Sequence, residues 1–489
     1  MSNGLTLIQA QDYSWVYFTA DTSLSLDEKE LLIRERGAVV QGTSKWLHAS
    51  CIEGSGSAFN LLSIVDRIEP LRRYKVTRNQ IEETAKTAED FKYGGSDWQL
   101  QMLGLDEYHK QGYTGKGVTI GLFDAGFFRV DSLEAFDSMR RRGQIKAVWD
   151  FFYNDTNVYI QDGHGMYVLS IAGGYWPDSI MGAAPDANFL LARTEIANRE
   201  IKAEELAWVK ALEWADSIGV DIIHSSLGYS EFDTLEGDYV YQDMDGQTTV
   251  VTKATDIAAS KGIFVTNSAG NEGEKDWHYI TAPCDGRYVL CVGAVDSNEV
   301  HAPFSSYGPS ADGRVKPDVV AMGKGVTYVT KEGDIKTGGG TSFSGPLIAG
   351  MVACLKQAWP MATNEHMYQA IIRSSDRYDN PDTAYGFGLP NVQKADSILA
   401  IFSKVESVKH TDTKIFPNPG THNLYIESTN DLDQIVVRDL MGRLVVQQEV
   451  QMGIRAVKIP ILQLHDGNYT VEISFVNGQI GRHRFMKID

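Results

Sequence analysis

The feature that most constrains the fold is a regular alternation of strand-like and helix-like segments through the middle of the chain. Short apolar runs rich in β-branched residues predict strands at 118–123, 188–192, 220–224, 263–266 and 289–295. Helices are predicted between them at 164–172, 203–218 and 253–261. This order is typical of a parallel sheet covered by helices. Functional groups of such sheets gather at the carboxyl ends of the strands.

Three side chains of complementary chemistry follow glycine-flanked ends of these elements. Asp124 ends the first strand, His164 opens a helix, and Ser342 lies between the glycines at 338–340 and an apolar helical run. Serine becomes a nucleophile when an imidazole takes its proton, and a carboxylate fixes that imidazole. Asn271, on a glycine-bounded loop, is a candidate donor to an oxyanion. The set predicts a Ser-His-Asp triad.

Each of these residues also has a purely structural interpretation. Asp124 before a small residue and glycine could form a turn, and Ser342 could cap a helix. His164 could cap a helix or supply half a metal site, but no His-Glu-x-x-His or comparable cluster accompanies it. Asn271 could occupy a left-handed turn position. The joint occurrence of all four favours catalysis over four independent structural roles.

Composition narrows the function classes. A chain of 489 residues predicts two or three domains. With 45 Lys and Arg against 64 Asp and Glu, the formal charge of -19 argues against nucleic acid or anionic lipid as the main partner. No apolar run has the length of a membrane span. Cys284 and Cys291 are close enough in sequence to pair, whereas Cys51 and Cys354 are expected as small core residues.

The motifs resemble those of the subtilisin-like serine proteases, the subtilases, in the family's order of Asp, His and Ser. The matching segments are residues 115–126, 164–168, 225–228, 268–271, 316–318 and 340–346, and the resemblance covers about residues 93–401. Several specific motifs in one order make it a resemblance of the whole region. It implies an α/β fold with a subtilisin-like parallel sheet flanked by helices.

The resemblance also implies a secreted serine endopeptidase acting on proteins or peptides. Ser342 is expected to attack the scissile carbonyl, His164 to transfer the proton and Asp124 to orient the imidazole. The Asn271 side chain and the Ser342 backbone amide are expected to stabilise the oxyanion. Substrate is expected to lie as an added strand along Ser225, Ser226, Leu227, Gly228, Ser268, Ala269 and Gly270.

Some positions depart from the family pattern. Ala125 stands where Ser or Thr is usual, and Ser344-Gly345 stands where Ala and a small or polar residue are usual. The missing hydroxyl at Ala125 is expected to weaken a hydrogen bond to Asp124. These departures keep open a catalytically weak or inactive surface-binding protein on a subtilase scaffold. The Asp-His-Ser order and the missing Gly-x-Ser-x-Gly elbow argue against an esterase.

No cofactor is required by this chemistry. The resemblance makes structural calcium conceivable, because subtilases often carry it, but no Asp-rich loop assigns a site, and no metal ligands are predicted. The N-terminal residues 1–20 lack the basic residue and continuous apolar core of a secretory signal peptide. Either the protein stays inside the cell or its leader is missing from this form of the sequence.

Two flanking regions complete the predicted organisation. Residues 12–76 predict a small α+β unit, including a second helix at 58–65, where subtilases carry a propeptide that inhibits the enzyme. Residues 77–95 are a polar linker with the expected processing site, and residues 96–402 form the catalytic domain. Because parallel sheets fold slowly, a folding helper has a physical rationale.

The C-terminal region, residues 412–489, predicts a β-sandwich of short alternating strands. On physical grounds alone, it could be an adhesion or carbohydrate-binding module. The Phe-Pro-Asn-Pro segment at 416–419 and the Asp-Leu-Met-Gly-Arg step at 439–443 resemble sorting domains of the type IX secretion system. That resemblance implies contact with secretion machinery and an extracellular or cell-surface location.

Overall fold

The computed structural model describes most of the chain. The described residues are 12–19, 24–44, 48–53, 59, 62–72, 92–160, 162–196, 199–233, 237–406, 413–439, 444–451, 453–476 and 480–488. Residues 77–91, most of the predicted processing linker, lie outside them. The domain boundaries predicted above therefore stay predictions.

The N-terminal unit is a four-stranded antiparallel sheet with one described helix. Its elements are β1 (Asp12–Phe18), α1 (Leu26–Glu35), β2 (Val40–Ser44), β3 (Ala49–Glu53) and β4 (Val65–Arg72), with strand order β2-β3-β1-β4. Ser25 and Glu28 close a capping box that starts α1. Val16, Ile33 and Ile52 share its core.

The helix expected at 58–65 is wrong over residues 62–65, whereas the described residue 59 lies in a 3-10 turn. Residues 63–64 form a turn and β4 begins at Val65, while residues 54–58, 60 and 61 lie outside the described part. The apolar segment there is too short for its pattern to distinguish a helix from a strand. The β-branched pair Ile64 and Val65, followed by Ile68, suits a strand, and all three pack against the core of this unit.

A seven-stranded parallel sheet forms the centre of the molecule, as predicted. Its strands are β5 (Thr119–Asp124), β6 (Ile145–Asp150), β9 (Asn188–Arg193), β10 (Ile222–Ser225), β11 (Phe264–Ser268), β12 (Val289–Val295) and β13 (Val319–Met322). They lie in the order β13-β12-β11-β10-β5-β9-β6. Two small hairpins accompany the sheet: β7 (Tyr175–Trp176) with β8 (Ile180–Met181), and β14 (Lys324–Val329) with β15 (Ile335–Gly339).

Helices cover both faces of this sheet. They are α2 (Asp97–Gln101), α3 (Leu105–Lys110), α4 (Asp137–Arg141), α5 (His164–Gly173), α6 (Ala203–Ile218), α7 (Val250–Ser260), α8 (Thr341–Ala358), α9 (Asn364–Ser374) and α10 (Val392–Glu406). None of the helices in the described ranges is long and apolar enough to cross a membrane.

Alternation along the strands divides the core into two layers. In β10, Ile222 packs into the layer that contains α5 and α8, and Ile223 packs into the layer of α6 and α7. Successive strand residues point to opposite faces, which explains why these strands read as continuous apolar runs. The two layers leave the carboxyl ends of the strands as the open edge of the sheet.

The C-terminal unit consists of two antiparallel sheets, as expected for a sandwich. Its strands are β16 (Thr413–Phe416), β17 (Asn423–Ser428), β18 (Leu432–Asp439), β19 (Leu444–Glu449), β20 (Ala456–Pro460), β21 (Gly467–Phe475) and β22 (Ile480–Lys487). The sheet orders are β16-β17-β20 and β19-β18-β21-β22. Leu424 and Ile459 from one sheet share a core with Val437 and Val471 from the other.

Candidate active site

Asp124 and His164 meet where β5 ends and α5 begins. Nδ1 of His164 lies 2.8 Å from Oδ1 of Asp124. Gly165 makes this approach feasible, because a Cβ there would lie 2.6 Å from the Gly126 carbonyl oxygen and 2.8 Å from the Asp124 Cβ. The Asp162 carboxylate accepts the backbone N–H of His164 at 2.7 Å and fixes the start of α5.

The environment of this pair favours a protonated His164. Asp124 is completely buried, and its Oδ1 also accepts the backbone N–H of Ala125 at 2.7 Å. Burial opposes protonation of His164, but the Asp124 charge and hydrogen bond outweigh it and raise the histidine pKa above its ordinary value. Oδ2 of Asp124 has no hydrogen-bond partner among the described residues. Ala125, lacking a hydroxyl, cannot supply one.

A buried ion pair beside Asp124 was missed by sequence reasoning. Arg193 lies opposite Asp124 in the register of β5 and β9, and it pairs with Asp150 at 2.7 Å. Its Nε donates to the Ala125 carbonyl oxygen at 2.8 Å. Burial raises the pKa of Asp150, and the Arg193 charge opposes that rise. A charged residue ending an otherwise apolar strand was the signal that could have found it.

Ser342 lies in the first turn of α8 and shares a cleft of about 400 Å³ with His164. Its hydroxyl donates to the Ser226 carbonyl oxygen at 3.4 Å, and no hydrogen bond to His164 exists within the described structure. Catalytic hydrogen bonds of free enzymes are often long or poorly aligned. The structure thus brings all three predicted triad residues to one edge of the sheet, with only the Asp124–His164 contact formed.

At the start of α8, a side-chain hydroxyl replaces a backbone donor that Pro346 cannot supply. Proline has no N–H, so the carbonyl of Ser342, four residues earlier, lacks its helical donor. The Ser226 hydroxyl takes that place at 3.2 Å. The Ser268 hydroxyl similarly donates to the Thr341 carbonyl oxygen at 2.8 Å. Both strand-end serines therefore hold the backbone that carries Ser342.

A second histidine, His224, lies buried beneath this turn. Its Nε2 lies 3.0 Å from the Ser226 hydroxyl and its Nδ1 lies 2.9 Å from the Thr266 hydroxyl. Both hydroxyls also donate to backbone carbonyl oxygens, Ser226 to Ser342 at 3.2 Å and Thr266 to Ile223 at 3.3 Å. A neutral imidazole donates through one of its two nitrogens and accepts through the other. Burial lowers the pKa of His224 to about 3, so the imidazole is neutral.

His224 also explains one departure from the family pattern. A Cβ at Gly345 would lie 2.9 Å from Nε2 of His224 and 2.6 Å from the Ser268 hydroxyl. Only glycine leaves room for the imidazole there. The sequence signal for His224 was a polar residue near the end of an apolar strand. That signal does not predict its close approach to Gly345.

Asn271 is oriented by the residue that precedes the predicted nucleophile. Its Oδ1 accepts the backbone N–H of Thr341 at 2.9 Å and the Thr341 hydroxyl at 3.1 Å. Its Nδ2 has no partner in the described part of the chain, and Asn271 lines the cleft. The arrangement leaves an amide donor available beside Ser342.

The residues predicted to bind substrate divide into two groups. Lining the cleft are Ser226, Leu227, Gly228, Ser268 and Gly270. Ser225 and Ala269 are completely buried behind them. The Ala269 backbone is already paired, since its N–H donates to Val292 and its carbonyl accepts from Thr281. The backbone groups of Gly228 have no partner among the described residues, so they remain free to pair.

Cys284 and Cys291 form a disulfide next to the buried Ala269. Both are buried and pack with Ala269 and Ile280. Cys354 is a buried free thiol, consistent with the predicted core role. Within the described ranges, no three His, Cys, Asp or Glu side chains are grouped to hold a metal ion. The expectation of structural calcium stays untested.

Comparison with known proteins identifies two regions. Residues 115–388 match the sequence profile of the subtilase family. Residues 414–486 match the profile described as a secretion system C-terminal sorting domain. The first match covers the sheet, α5 and α8, and the second covers the C-terminal sandwich. A sorting domain of this kind indicates a secreted or cell-surface protein.

Individual relatives support the same assignment. Subtilisin from Bacillus pumilus is 30% identical over 313 residues, covering 63% of this chain and 99% of that protein. The serine protease AprX of Bacillus subtilis is 28% identical over 317 residues, covering 58% of this chain and 67% of AprX.

A solved structure supports the fold. The epidermin leader peptide processing serine protease of Staphylococcus aureus aligns with a TM-score of 0.56 at 16% identity, covering 79% of this chain and 99% of that one. This likeness concerns the fold alone. Together with the matching profiles, these findings show that the chain belongs to the subtilase family, as a subtilisin-like serine endopeptidase with a C-terminal secretion-sorting domain.

Proposed function

We propose that the chain hydrolyses peptide bonds through a Ser342-His164-Asp124 triad and an acyl-enzyme. The observation that carries this proposal is the 2.8 Å contact between His164 and buried Asp124, at the cleft that also contains Ser342. In this proposal Nδ1 of His164 keeps its proton for Asp124. Nε2 is then the basic nitrogen that faces the nucleophile.

The reaction begins when substrate displaces the Ser342 hydroxyl from the Ser226 carbonyl oxygen. His164 takes the hydroxyl proton as Ser342 attacks the scissile carbonyl, and the imidazolium is stabilised by Asp124. Nδ2 of Asn271 and the backbone N–H of Ser342 donate to the oxyanion. His164 then protonates the leaving amine, and water hydrolyses the acyl-enzyme by the same steps in reverse order.

The free backbone groups of Gly228 give the substrate a strand to pair with. We infer that the peptide extends along residues 226–228 and faces residues 268 and 270 across the cleft. The Ser226 carbonyl oxygen, which holds the Ser342 hydroxyl in the free enzyme, becomes an acceptor for the substrate backbone. In this proposal, substrate binding therefore frees the Ser342 hydroxyl in the same step.

The flanking units extend this proposal to maturation and export. The N-terminal unit lies against the catalytic region, where the Ser44 hydroxyl donates to the Glu213 carboxylate of α6. We propose that it inhibits the enzyme until a bond in residues 77–95 is cut. The C-terminal sandwich is proposed to direct passage through the type IX secretion machinery.

An intact-mass time course tests the triad and the propeptide together. Purified full-length chain is incubated beside Ser342→Ala, and both are probed with a fluorophosphonate. We expect the wild type to lose about 75 to 95 N-terminal residues and to be labelled at Ser342, because labelling requires an activated hydroxyl. The variant should stay whole and unlabelled.

Two outcomes would contradict the proposal. If both proteins stayed whole, and the wild type remained unlabelled after an added protease had removed its N-terminal unit, the site would be inactive and the surface-binding alternative would stand. If the wild type were labelled but never lost its N-terminal unit, the triad would stand and the propeptide assignment would fail. Equal cutting of both proteins would identify a contaminating protease, which adding the fluorophosphonate before incubation would reveal.

A further inference from the structure

The loop at 271–280 begins with the proposed oxyanion donor and contains no helix or strand. Asn271 stands at its start, and Glu274, Lys275 and Asp276 in its middle are exposed. A segment without secondary structure owes its position to individual hydrogen bonds, because it lacks the repeating bonds of a helix or sheet. The bonds that hold this loop therefore influence where the Asn271 side chain lies.

Both arms of this loop bind one neighbouring segment, residues 304–307. In the outgoing arm, the backbone N–H of Gly273 donates to the Phe304 carbonyl oxygen at 2.9 Å. In the returning arm, the carbonyl oxygen of His278 accepts the backbone N–H of Tyr307 at 3.1 Å. Each arm is thus anchored at its own base.

The side chain of His278 joins the two arms directly. Its Nδ1 lies 3.0 Å from the Gly273 carbonyl oxygen. Because a carbonyl oxygen only accepts, Nδ1 carries the proton of this bond. That carbonyl oxygen has no other hydrogen-bond partner among the described residues. The bond closes the exposed part of the loop only two residues after Asn271.

The backbone of His278 adopts a left-handed conformation where this bond is made. Its φ is +64°, which is uncommon for residues other than glycine. Its ring stacks on Tyr307, with ring centroids 4.5 Å apart and planes 11° from parallel. The ring of His301 also contacts Tyr307, at 4.7 Å between centroids. Strained conformations persist where the surrounding contacts over-determine them, and they cluster at functional sites.

The Asn271 amide must be placed accurately to act on an oxyanion. A donor of this kind works at about 2.7–3.1 Å from the developing charge. Thr341 holds Oδ1 of Asn271, so the direction of Nδ2 depends on where the loop backbone carries that residue. A displacement of about 1 Å at a catalytic site can cost about 10²-fold in rate.

We propose that His278 is a positioning residue for Asn271, acting through its Nδ1–H bond to the Gly273 carbonyl oxygen. The inference rests on the proposed peptidase function and extends it to a residue that does not line the cleft. Loss of the bond frees the arm that follows Asn271, so the oxyanion donor spends less time in its productive position. Because the oxyanion exists only beyond the ground state, kcat should fall while KM stays nearly constant.

Variants of the full chain, assayed on a peptide substrate after the N-terminal unit has been removed, separate the bond from the ring stack. His278→Phe keeps a ring for Tyr307 and loses the donor. It should lower kcat by about three- to tenfold and change KM by less than about twofold. His278→Asn keeps a donor nitrogen on the same side-chain carbon and tolerates a positive φ, so it should retain most of kcat.

His301→Leu is the matched control for packing. It removes another ring that contacts Tyr307 and leaves the bond between His278 and Gly273 in place. Its kcat should equal that of the wild type. Urea unfolding of each variant in a Ser342→Ala background measures the accompanying change in stability.

A double-mutant cycle with Asn271→Ala tests whether His278 acts through Asn271. Asn271→Ala alone should lower kcat by about 10²-fold or more, as for other oxyanion donors. In that background, His278→Phe should change kcat by less than about twofold, because the donor that it positions is absent. An equal loss in both backgrounds, an unchanged kcat in His278→Phe, or the same loss in His301→Leu would overturn the inference.

Fluorophosphonate labelling separates this inference from the proposed function. A labelled, active wild type whose kcat is unaffected by His278→Phe contradicts the inference alone. If the wild type is labelled but does not cleave the peptide, the rate of labelling replaces kcat in the same cycle, because attack by Ser342 on phosphorus also places an oxygen at the oxyanion donors. A wild type that is neither labelled nor active contradicts the proposed function and the inference together.

Discussion

The two halves of the candidate site are held by different forces. Asp124 and His164 form one half, and its contacts involve charges, including the neighbouring Arg193–Asp150 pair. The half that carries Ser342 rests on neutral hydrogen bonds from strand-end hydroxyls and from His224. In the proposed reaction the first half changes its charge, whereas the second half keeps the backbone of Ser342 in place.

Because of this difference, the two halves should respond differently to pH and to mutation. In the proposed mechanism the charged half makes activity depend on pH, because protonation of His164 removes the base. His224 has its pKa lowered to about 3 by burial, so it stays neutral over the range in which His164 titrates. Changes in the charged half should alter rate and pH profile, whereas changes in the neutral half should alter stability and geometry.

The largest expected effect comes from removing the charge of Asp124. Asp124→Asn should lower kcat/KM by about 10⁴-fold, because the amide no longer stabilises the imidazolium or its required tautomer. The residual activity should rise at lower pH than in the wild type, since loss of the Asp124 charge lowers the pKa of His164. A pH profile of kcat/KM measures both. An unshifted profile would mean that Asp124 does not set that pKa.

A large loss of stability should follow Arg193→Met. The change leaves Asp150 buried without its cation and should cost about 3–5 kcal/mol of unfolding free energy. Urea unfolding in a Ser342→Ala background, where self-digestion is excluded, measures it. Arg193→Met combined with Asp150→Asn should recover part of the loss, because Asn keeps an oxygen for the Phe152 and Tyr153 backbone N–H groups. No recovery would show that the Arg193 contact with Ala125, rather than the ion pair, is the stabilising one.

A smaller, coupled effect is expected in the neutral half. Gly345→Ala should cost about 1–3 kcal/mol, because the new Cβ overlaps the His224 ring. His224→Ala should cost a similar amount by removing the hydrogen bonds between the imidazole and the Ser226 and Thr266 hydroxyls. The double variant should be more stable than the sum predicts, since each change relieves the other. If the two losses of unfolding free energy simply added in urea unfolding, Gly345 and His224 would not interact. The pH profile of kcat/KM should stay unchanged in all three variants.

The smallest effect tests the electrostatics around His164 outside the triad. Asp162 raises the pKa of His164 and Lys331 lowers it. Asp162→Asn should therefore move the rise of kcat/KM to lower pH, and Lys331→Met should move it to higher pH, each by a fraction of a pH unit. Asn at 162 keeps an oxygen for the His164 N–H. Shifts in the same direction for both variants would contradict this account.

Much of the fold could be predicted because the signals were local. The helix predicted at 203–218 agrees with α6 at both ends, and the strand predicted at 289–295 agrees with β12. Strands β6 and β13, both at edges of the sheet, were not predicted. The exposed Lys146 interrupts the apolar pattern in β6, and β13 is buried but only four residues long.

The sequence by itself determined which residues we propose to carry the chemistry, since Asp124, His164, Asn271 and Ser342 each lie at a glycine-flanked element end in the order of a known family. Tertiary structure alone decided what supports them. The buried Arg193–Asp150 pair, the fit of His224 against Gly345 and the stack of His278 on Tyr307 join segments that are distant in the chain. Such contacts depend on burial and close approach in three dimensions, and no local pattern specifies them.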